Sequence, residues 1–75
     1  MSSDLSSEAV AWITRFAESL GQPLPTEDEI ETLLNLAGVA AHASHRQAAP
    51  VACWLAARAG LSPDAGLAAA RTLSP

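Results

Sequence analysis

The chain has 75 residues, a mass of 7.7 kDa and a formal net charge of −4, which leaves room for one small domain. Its composition is 49% hydrophobic but only 4% aromatic. Its four cations are all arginines spread along an acidic chain, which argues against sequence-independent binding to nucleic acid. No apolar run of about 18 residues is present, so a membrane partner is not expected. No basic start followed by an apolar stretch indicates a secretory signal, so we expect a cytoplasmic protein.

The first predicted element is a helix that begins near Leu5. Residues 1–4 are small and polar and are expected to be flexible, and residues 5–75 are expected to form a single helical domain. Apolar residues recur at the spacing of one helix face, at Leu5, Ala9, Trp12, Ile13, Phe16 and Leu20. Ser6 or Ser7 is the predicted cap, and Gly21 is predicted to end the helix in a left-handed conformation.

A second helix is predicted to follow two prolines that exclude a continuation of the first. The residues Thr26–Glu29 have the sequence of a capping box, in which the threonine and glutamate side chains each accept a backbone N–H of the other residue. Apolar positions keep the helical period as far as Ala41. Gly38 would weaken this helix, so we expect a neighbouring helix to cross closely there.

Two shorter helices are predicted in the remainder of the chain. Pro50 is predicted to be the first residue of the third helix, and Gly60 to end it. Ser62 and Pro63 are typical of the start of a fourth helix, which Gly66 weakens. No alternating apolar run indicates a strand. The predicted fold class is therefore all-α, a small bundle of about four short helices.

The junction before the third helix gathers both histidines and one arginine. His42, His45 and Arg46 lie within five positions and are followed by Pro50. Free N–H groups at the start of a helix attract anions, and an arginine side chain offers two parallel donors to phosphate or carboxylate. These four residues are therefore candidates for binding an anion or an anionic partner. The alternative, which the sequence favours, is that these cations only complement the dipole at the end of the second helix.

Metal binding and catalysis have weaker support. His42, His45 and Cys53 could supply three metal ligands, but the chain has no fourth Cys or His and the spacing matches no zinc pattern. The sequence favours Cys53 as a small buried apolar residue. A catalytic pair of Cys53 with a histidine would need a third residue to orient the histidine, and the sequence identifies none. No glycine-rich phosphate loop is present. We therefore expect no metal, no cofactor and no enzymatic activity.

The two tryptophans leave a choice between core and interface. Trp12 and Trp54 both lie on the apolar side of their predicted helices. Burial in the core is the default for such side chains. A small helical domain also often needs help from oligomerisation, and partly exposed tryptophans would then indicate a partner surface or a homodimer interface. Both interpretations stay open at this point.

Several short motifs carry a resemblance to a known family: Trp12, Leu33–Ala37, His42, Arg46, Ala49-Pro50, Leu55-Ala56 and Gly60. Through them the chain resembles a small uncharacterised all-helical family of actinobacterial proteins, the DUF6457-like domains, over about residues 10–60. Members occur alone or attached to molybdenum-cofactor guanylyltransferase-like proteins. The resemblance implies a link to molybdenum-cofactor maturation or its client enzymes. The chain departs from the family pattern at Asn35, where relatives carry aspartate, and at Gly38-Val39, where they carry charged residues.

These observations lead to an expected function and two alternatives. We expect a non-catalytic helical accessory module that docks on a cofactor-handling enzyme or on itself, with the junction at residues 42–50 contacting an anionic group. The first alternative is a small module that binds an anion or the phosphate of a nucleotide. The second is a homodimeric structural protein without a ligand.

Overall fold

The computed structural model describes residues 5–73 of the chain. Its four helices are α1 (Ser7–Ser19), α2 (Glu27–Ala43), α3 (Ala48–Arg58) and α4 (Pro63–Leu73). Because residues 5–73 contain no strand, the predicted all-α fold class is confirmed. None of these helices combines the length and apolarity needed to cross a bilayer. The predicted flexibility of residues 1–4 concerns a segment outside the described residues.

The helix starts are capped by the side chains that the sequence predicts. Ser6 caps α1 by accepting a first-turn backbone N–H at 2.9 Å. The capping box of α2 is complete: Glu29 N–H donates to the Thr26 hydroxyl at 3.0 Å, and Thr26 N–H donates to the Glu29 carboxylate at 2.8 Å. The Ser62 hydroxyl accepts a first-turn N–H of α4 at 3.2 Å. Local hydrogen bonds therefore fix where these three helices begin.

Glycine ends two helices, and α3 begins earlier than predicted. Gly21 and Gly60 have φ angles of 68° and 81°, the left-handed conformation expected after a helix. Helix α3 begins at Ala48, so Pro50 is its third residue rather than its first. Proline is tolerated there because an N–H in the first turn has no acceptor within the helix.

Helix α2 is the centre of the bundle and packs against both α3 and α4, which also contact each other. Leu36, in the middle of α2, is only 2% exposed. A Cβ atom added to Gly66 of α4 would lie 3.0 Å from the Ala56 Cβ and 3.3 Å from the Leu36 Cδ2. By contrast, a Cβ added to Gly38 would meet nothing within 4 Å. The predicted close crossing at Gly38 is therefore wrong, and the close approach is at Gly66, where α4 meets α2 and α3.

Helix α1 lies apart from the other three helices. No Cα atom of α1 comes within 8 Å of a Cα atom in α2, α3 or α4. Residues 20–26 connect α1 to α2, and Gln22 N–H donates to the Ala17 carbonyl at 2.9 Å. Ala17 is the residue of α1 that is buried. The end of α1 is thus held by its own connecting segment, while most of its length has no helix packed closely against it.

Candidate functional site

At the predicted anion site before α3, three backbone N–H groups have acceptors within the chain. The N–H groups of Ala48 and Ala49 donate to the carbonyl oxygens of the two junction residues three positions before them, at 2.8 and 3.1 Å. Gln47 N–H donates to Nδ1 of His45 at 3.2 Å. Pro50 has no N–H to offer. The expectation of free N–H groups here is therefore wrong, because the turn that leads into α3 already supplies their acceptors.

His42 lines a groove with Arg71 of α4, and its predicted companions are not part of that groove. This open groove has a volume of ≈ 760 Å³. Its lining residues are Leu34, Asn35, Gly38, Val39, His42, Ala43 and Arg71. His45, Arg46 and Pro50 are exposed and do not belong to this set. We call this feature the His42–Arg71 groove. No sequence motif singled out Arg71 as a site residue, because its position beside His42 depends on how α4 packs on α2.

The His42–Arg71 groove is positively charged within an acidic chain. Asn35, His42 and Arg71 can all donate hydrogen bonds into it, and no carboxylate lines it. Among the described residues, no ion pair neutralises Arg71. His42 and Arg71 also lie in the last turns of α2 and α4, where cations complement the helix dipoles. The sequence favours a structural role for His42, in which it complements the dipole at the end of its helix. Arg71 has the position for the same role in α4.

The three candidate metal ligands are not assembled into a site. Within residues 5–73, no three His, Cys, Asp or Glu side chains are placed to hold a metal ion. The Cys53 thiol of α3 donates to the Leu33 carbonyl of α2, with an Sγ–O distance of 3.8 Å. Burial raises the pKa of the Cys53 thiol, which makes it a weaker nucleophile at neutral pH. Cys53 therefore contributes to the contact between α2 and α3, apart from His42 and His45.

Trp54 lies on an exposed surface of α3. It shares one side of the helix with Val51 and Arg58, and we call these three residues the α3 outer face. Trp54 is 58% exposed, and the Arg58 guanidinium carbon lies 4.5 Å from the centre of its ring. This distance is within the range of a cation–π interaction. The α3 outer face therefore presents a large aromatic side chain, Trp54, that a neighbouring arginine contacts.

Trp12 also lies at the surface, in a row of apolar side chains along α1. Trp12, Phe16 and Leu20 are spaced four residues apart and are all at least half exposed; we call them the α1 ridge. The rings of Trp12 and Phe16 stack with their centres 5.0 Å apart and their planes inclined by 26°. The choice that the sequence left open is decided in favour of exposure for both tryptophans.

A second, narrower groove runs between α3 and α4. Its volume is ≈ 290 Å³. It is lined by Leu36, Ala52, Leu55, Ala56, Ala59, Leu61, Gly66, Ala69, Ala70 and Leu73. We call it the α3–α4 groove. Every lining residue is apolar or glycine, so its walls offer contact area but almost no side-chain hydrogen bonds.

The exposed apolar surface is large for a protein of this size. The buried apolar residues are Ala17, Ile30 and Leu36, whereas ten large apolar side chains are exposed. The chain exposes 5605 Å², about 1,300 Å² more than the roughly 4,300 Å² typical of a monomer of this mass. Its radius of gyration is 12.6 Å, compared with about 11 Å for a compact domain of this length. The ten exposed large apolar side chains all lie within residues 5–73.

The comparison with protein families gives one match. The model of DUF6457, a domain of unknown function, matches residues 5–74. The chain belongs to this family. No curated protein and no solved structure shows significant similarity to this DUF6457 domain. Family membership therefore agrees with the resemblance seen in the sequence. Because the function of the family is unknown, we infer a function from the geometry of the exposed surfaces.

Proposed function

We propose that this DUF6457 domain is a non-catalytic module for binding another protein. The proposal rests on one observation: within residues 5–73, most large apolar side chains, including both tryptophans, lie at the surface, and only three apolar residues are buried. Exposed apolar patches beyond a few hundred Å² mark interaction sites in soluble proteins.

The α3 outer face is the surface that we assign to a partner protein. Tryptophan and arginine are the residues most enriched among those that dominate binding energy at protein interfaces. Here Arg58 lies over the ring of Trp54, so both side chains are partly ordered before a partner arrives. Prior ordering reduces the entropy that binding costs. Val51 extends the same face toward the start of α3 with further exposed apolar area.

The partner class that we propose is a protein that handles the molybdenum cofactor. Its support is the resemblance to domains attached to molybdenum-cofactor guanylyltransferase-like proteins. Attachment keeps two domains at a high effective concentration, which favours even a weak contact between them. The domain itself would hold no cofactor in this scheme. The cytoplasmic location expected from the sequence is part of the same proposal.

Replacing Trp54 is expected to weaken the binding of such a partner. Truncation of a central interface residue typically costs about 2 kcal/mol, or roughly a thirtyfold loss of affinity. Calorimetric titration of a purified guanylyltransferase-like partner with Trp54→Ala measures this loss. Arg58→Ala is expected to weaken binding in the same direction. Arg46→Ala, which removes an exposed arginine outside this face, serves as the matched control.

Two results would contradict this assignment. Absence of binding between the wild-type chain and both a guanylyltransferase-like protein and a molybdenum-cofactor-dependent client enzyme would remove the proposed partner class. Equal affinities for wild type and Trp54→Ala would remove the α3 outer face as the contact. A loss of binding in Arg46→Ala alone would return the contact to the junction at residues 42–50.

A second candidate function, anion binding, is favoured by the His42–Arg71 groove. The groove combines hydrogen-bond donors with apolar walls, and its volume of ≈ 760 Å³ is within the range of small-molecule sites. In NMR titrations with inorganic phosphate and with GTP, we expect shifts at His42 that Arg71→Ala abolishes and Arg46→Ala preserves. Equal responses in the two arginine variants would exclude this groove as an anion site.

A further inference from the structure

Gly38 lies in the middle of α2, where neither packing nor backbone conformation requires a glycine. A Cβ atom added here would meet nothing within 4 Å, so no neighbouring helix needs the space. Its φ angle is not positive, so an L residue would adopt the same backbone conformation. A glycine inside a helix lowers the stability of that helix relative to alanine. The open space beside Gly38 instead forms part of the His42–Arg71 groove, which this glycine lines.

The wall that α2 gives to the groove changes in character along the helix. Leu34, Gly38 and His42 are spaced four residues apart and therefore lie in one row on the helix surface. The row extends for about 12 Å along the helix axis. It has an apolar side chain at one end, bare backbone in the middle and an imidazole at the other end. Val39 adds further apolar area beside the bare backbone.

The packing of α4 brings Arg71 to the end of the groove that carries His42. Short connections join α2 to α3 and α3 to α4, which makes consecutive helices antiparallel, so α4 runs in the same direction as α2. Gly66 of α4 packs against Leu36 of α2. From this contact, Arg71 is about 7.5 Å further along α4 and His42 is about 9 Å further along α2. The two cationic side chains therefore lie at a similar level of the bundle.

We propose that the His42–Arg71 groove binds an organic anion, with its phosphate or carboxylate group between His42 and Arg71 and its apolar body against the bare backbone at Gly38. This inference rests on the second candidate function and names the class of ligand. An arginine side chain offers two parallel N–H donors to either anionic group. The apolar body would displace water from Leu34 and Val39, which are exposed and half-buried, respectively.

The first test compares each anionic group with and without an apolar body. Wild-type chain is titrated by calorimetry with inorganic phosphate and phenyl phosphate, and with acetate and benzoate. We expect at least one aryl ligand to bind at least tenfold tighter than its anionic group alone, a difference of about 1.4 kcal/mol. The pair with the larger gain identifies phosphate or carboxylate as the preferred group.

The outcomes of this comparison separate the inference from the candidate function on which it rests. No gain in affinity for either aryl ligand would overturn the inference. A phosphate response that Arg71→Ala abolishes would, in the same case, still support anion binding by the groove. Absence of any response to all four ligands would remove both the inference and the candidate function.

The second test fills the space beside Gly38. Side chains on a helix lean toward its N-terminus, so the leucine of Gly38→Leu would cover the wall toward Leu34 and leave His42 accessible. We expect this variant to lose the gain in affinity for the aryl ligand, at least tenfold, and to bind the anionic group alone within about twofold of the wild type. Ala11→Leu, at an exposed position of α1, is the matched control and is expected to bind both ligands normally.

Thermal unfolding excludes a loss of binding through loss of the fold. Leucine favours the helix more than glycine does, and the added Cβ meets no neighbouring atom, so we expect Gly38→Leu to unfold at or above the wild-type temperature. Gly38→Ala adds only one carbon to the wall and is expected to retain an intermediate affinity for the aryl ligand. Wild-type affinity for the aryl ligand in a folded Gly38→Leu variant would overturn the placement of the apolar body.

Discussion

Replacing Leu36 by alanine is expected to remove a large part of the stability of the folded chain. Leu36 is the most buried large side chain among the described residues, and α3 and α4 both pack against its helix. Truncating a buried leucine costs about 2–5 kcal/mol. A chain of this length has a total stability of about 4–11 kcal/mol. Thermal unfolding followed by circular dichroism is expected to show a midpoint lowered by at least about 10 °C.

Leu34→Ala is the control for this substitution. Leu34 lies on the same helix two positions earlier and is 56% exposed, so the same atoms are removed from a largely solvated position. We expect its midpoint to stay within a few degrees of the wild type. Equal losses in the two variants would show that Leu34 is buried as deeply as Leu36, contrary to the packing described.

The two glycines inside helices are expected to respond in opposite directions to alanine. Gly38→Ala is expected to raise the free energy of unfolding by about 0.5–1 kcal/mol, because alanine favours the helix and nothing lies within 4 Å of the new atom. Gly66→Ala gains the same helix propensity but places a Cβ 3.0 Å from that of Ala56. The Ala56 Cβ is attached directly to the backbone, so the two helices must separate. Overpacking of this kind costs about 1–3 kcal/mol, which gives a net loss of about 1 kcal/mol.

Urea denaturation of the wild type and both alanine variants measures this contrast. The substitution is chemically identical at the two positions, so the sign of the difference reports only the surroundings of each glycine. A stabilisation by Gly66→Ala equal to that by Gly38→Ala would contradict the close approach of α4 to α3.

The local sequence determined the helices and most of their boundaries. Ser6, Thr26 and Ser62 cap helices, and Gly21 and Gly60 end them, because each acts through hydrogen bonds or backbone angles only a few residues away. Such interactions are fully specified by neighbours in the chain. The start of α3 was predicted two residues late, since proline is tolerated at more than one position of a first turn.

Only the tertiary structure decided which residues meet. It placed His42 beside Arg71 and brought Gly66 rather than Gly38 against a neighbouring helix. It also put both tryptophans at the surface: Trp12 on α1, which does not pack closely on the other helices, and Trp54 on α3. The physical reason is that helical periodicity defines an apolar face, whereas what covers that face depends on contacts between residues far apart in the chain.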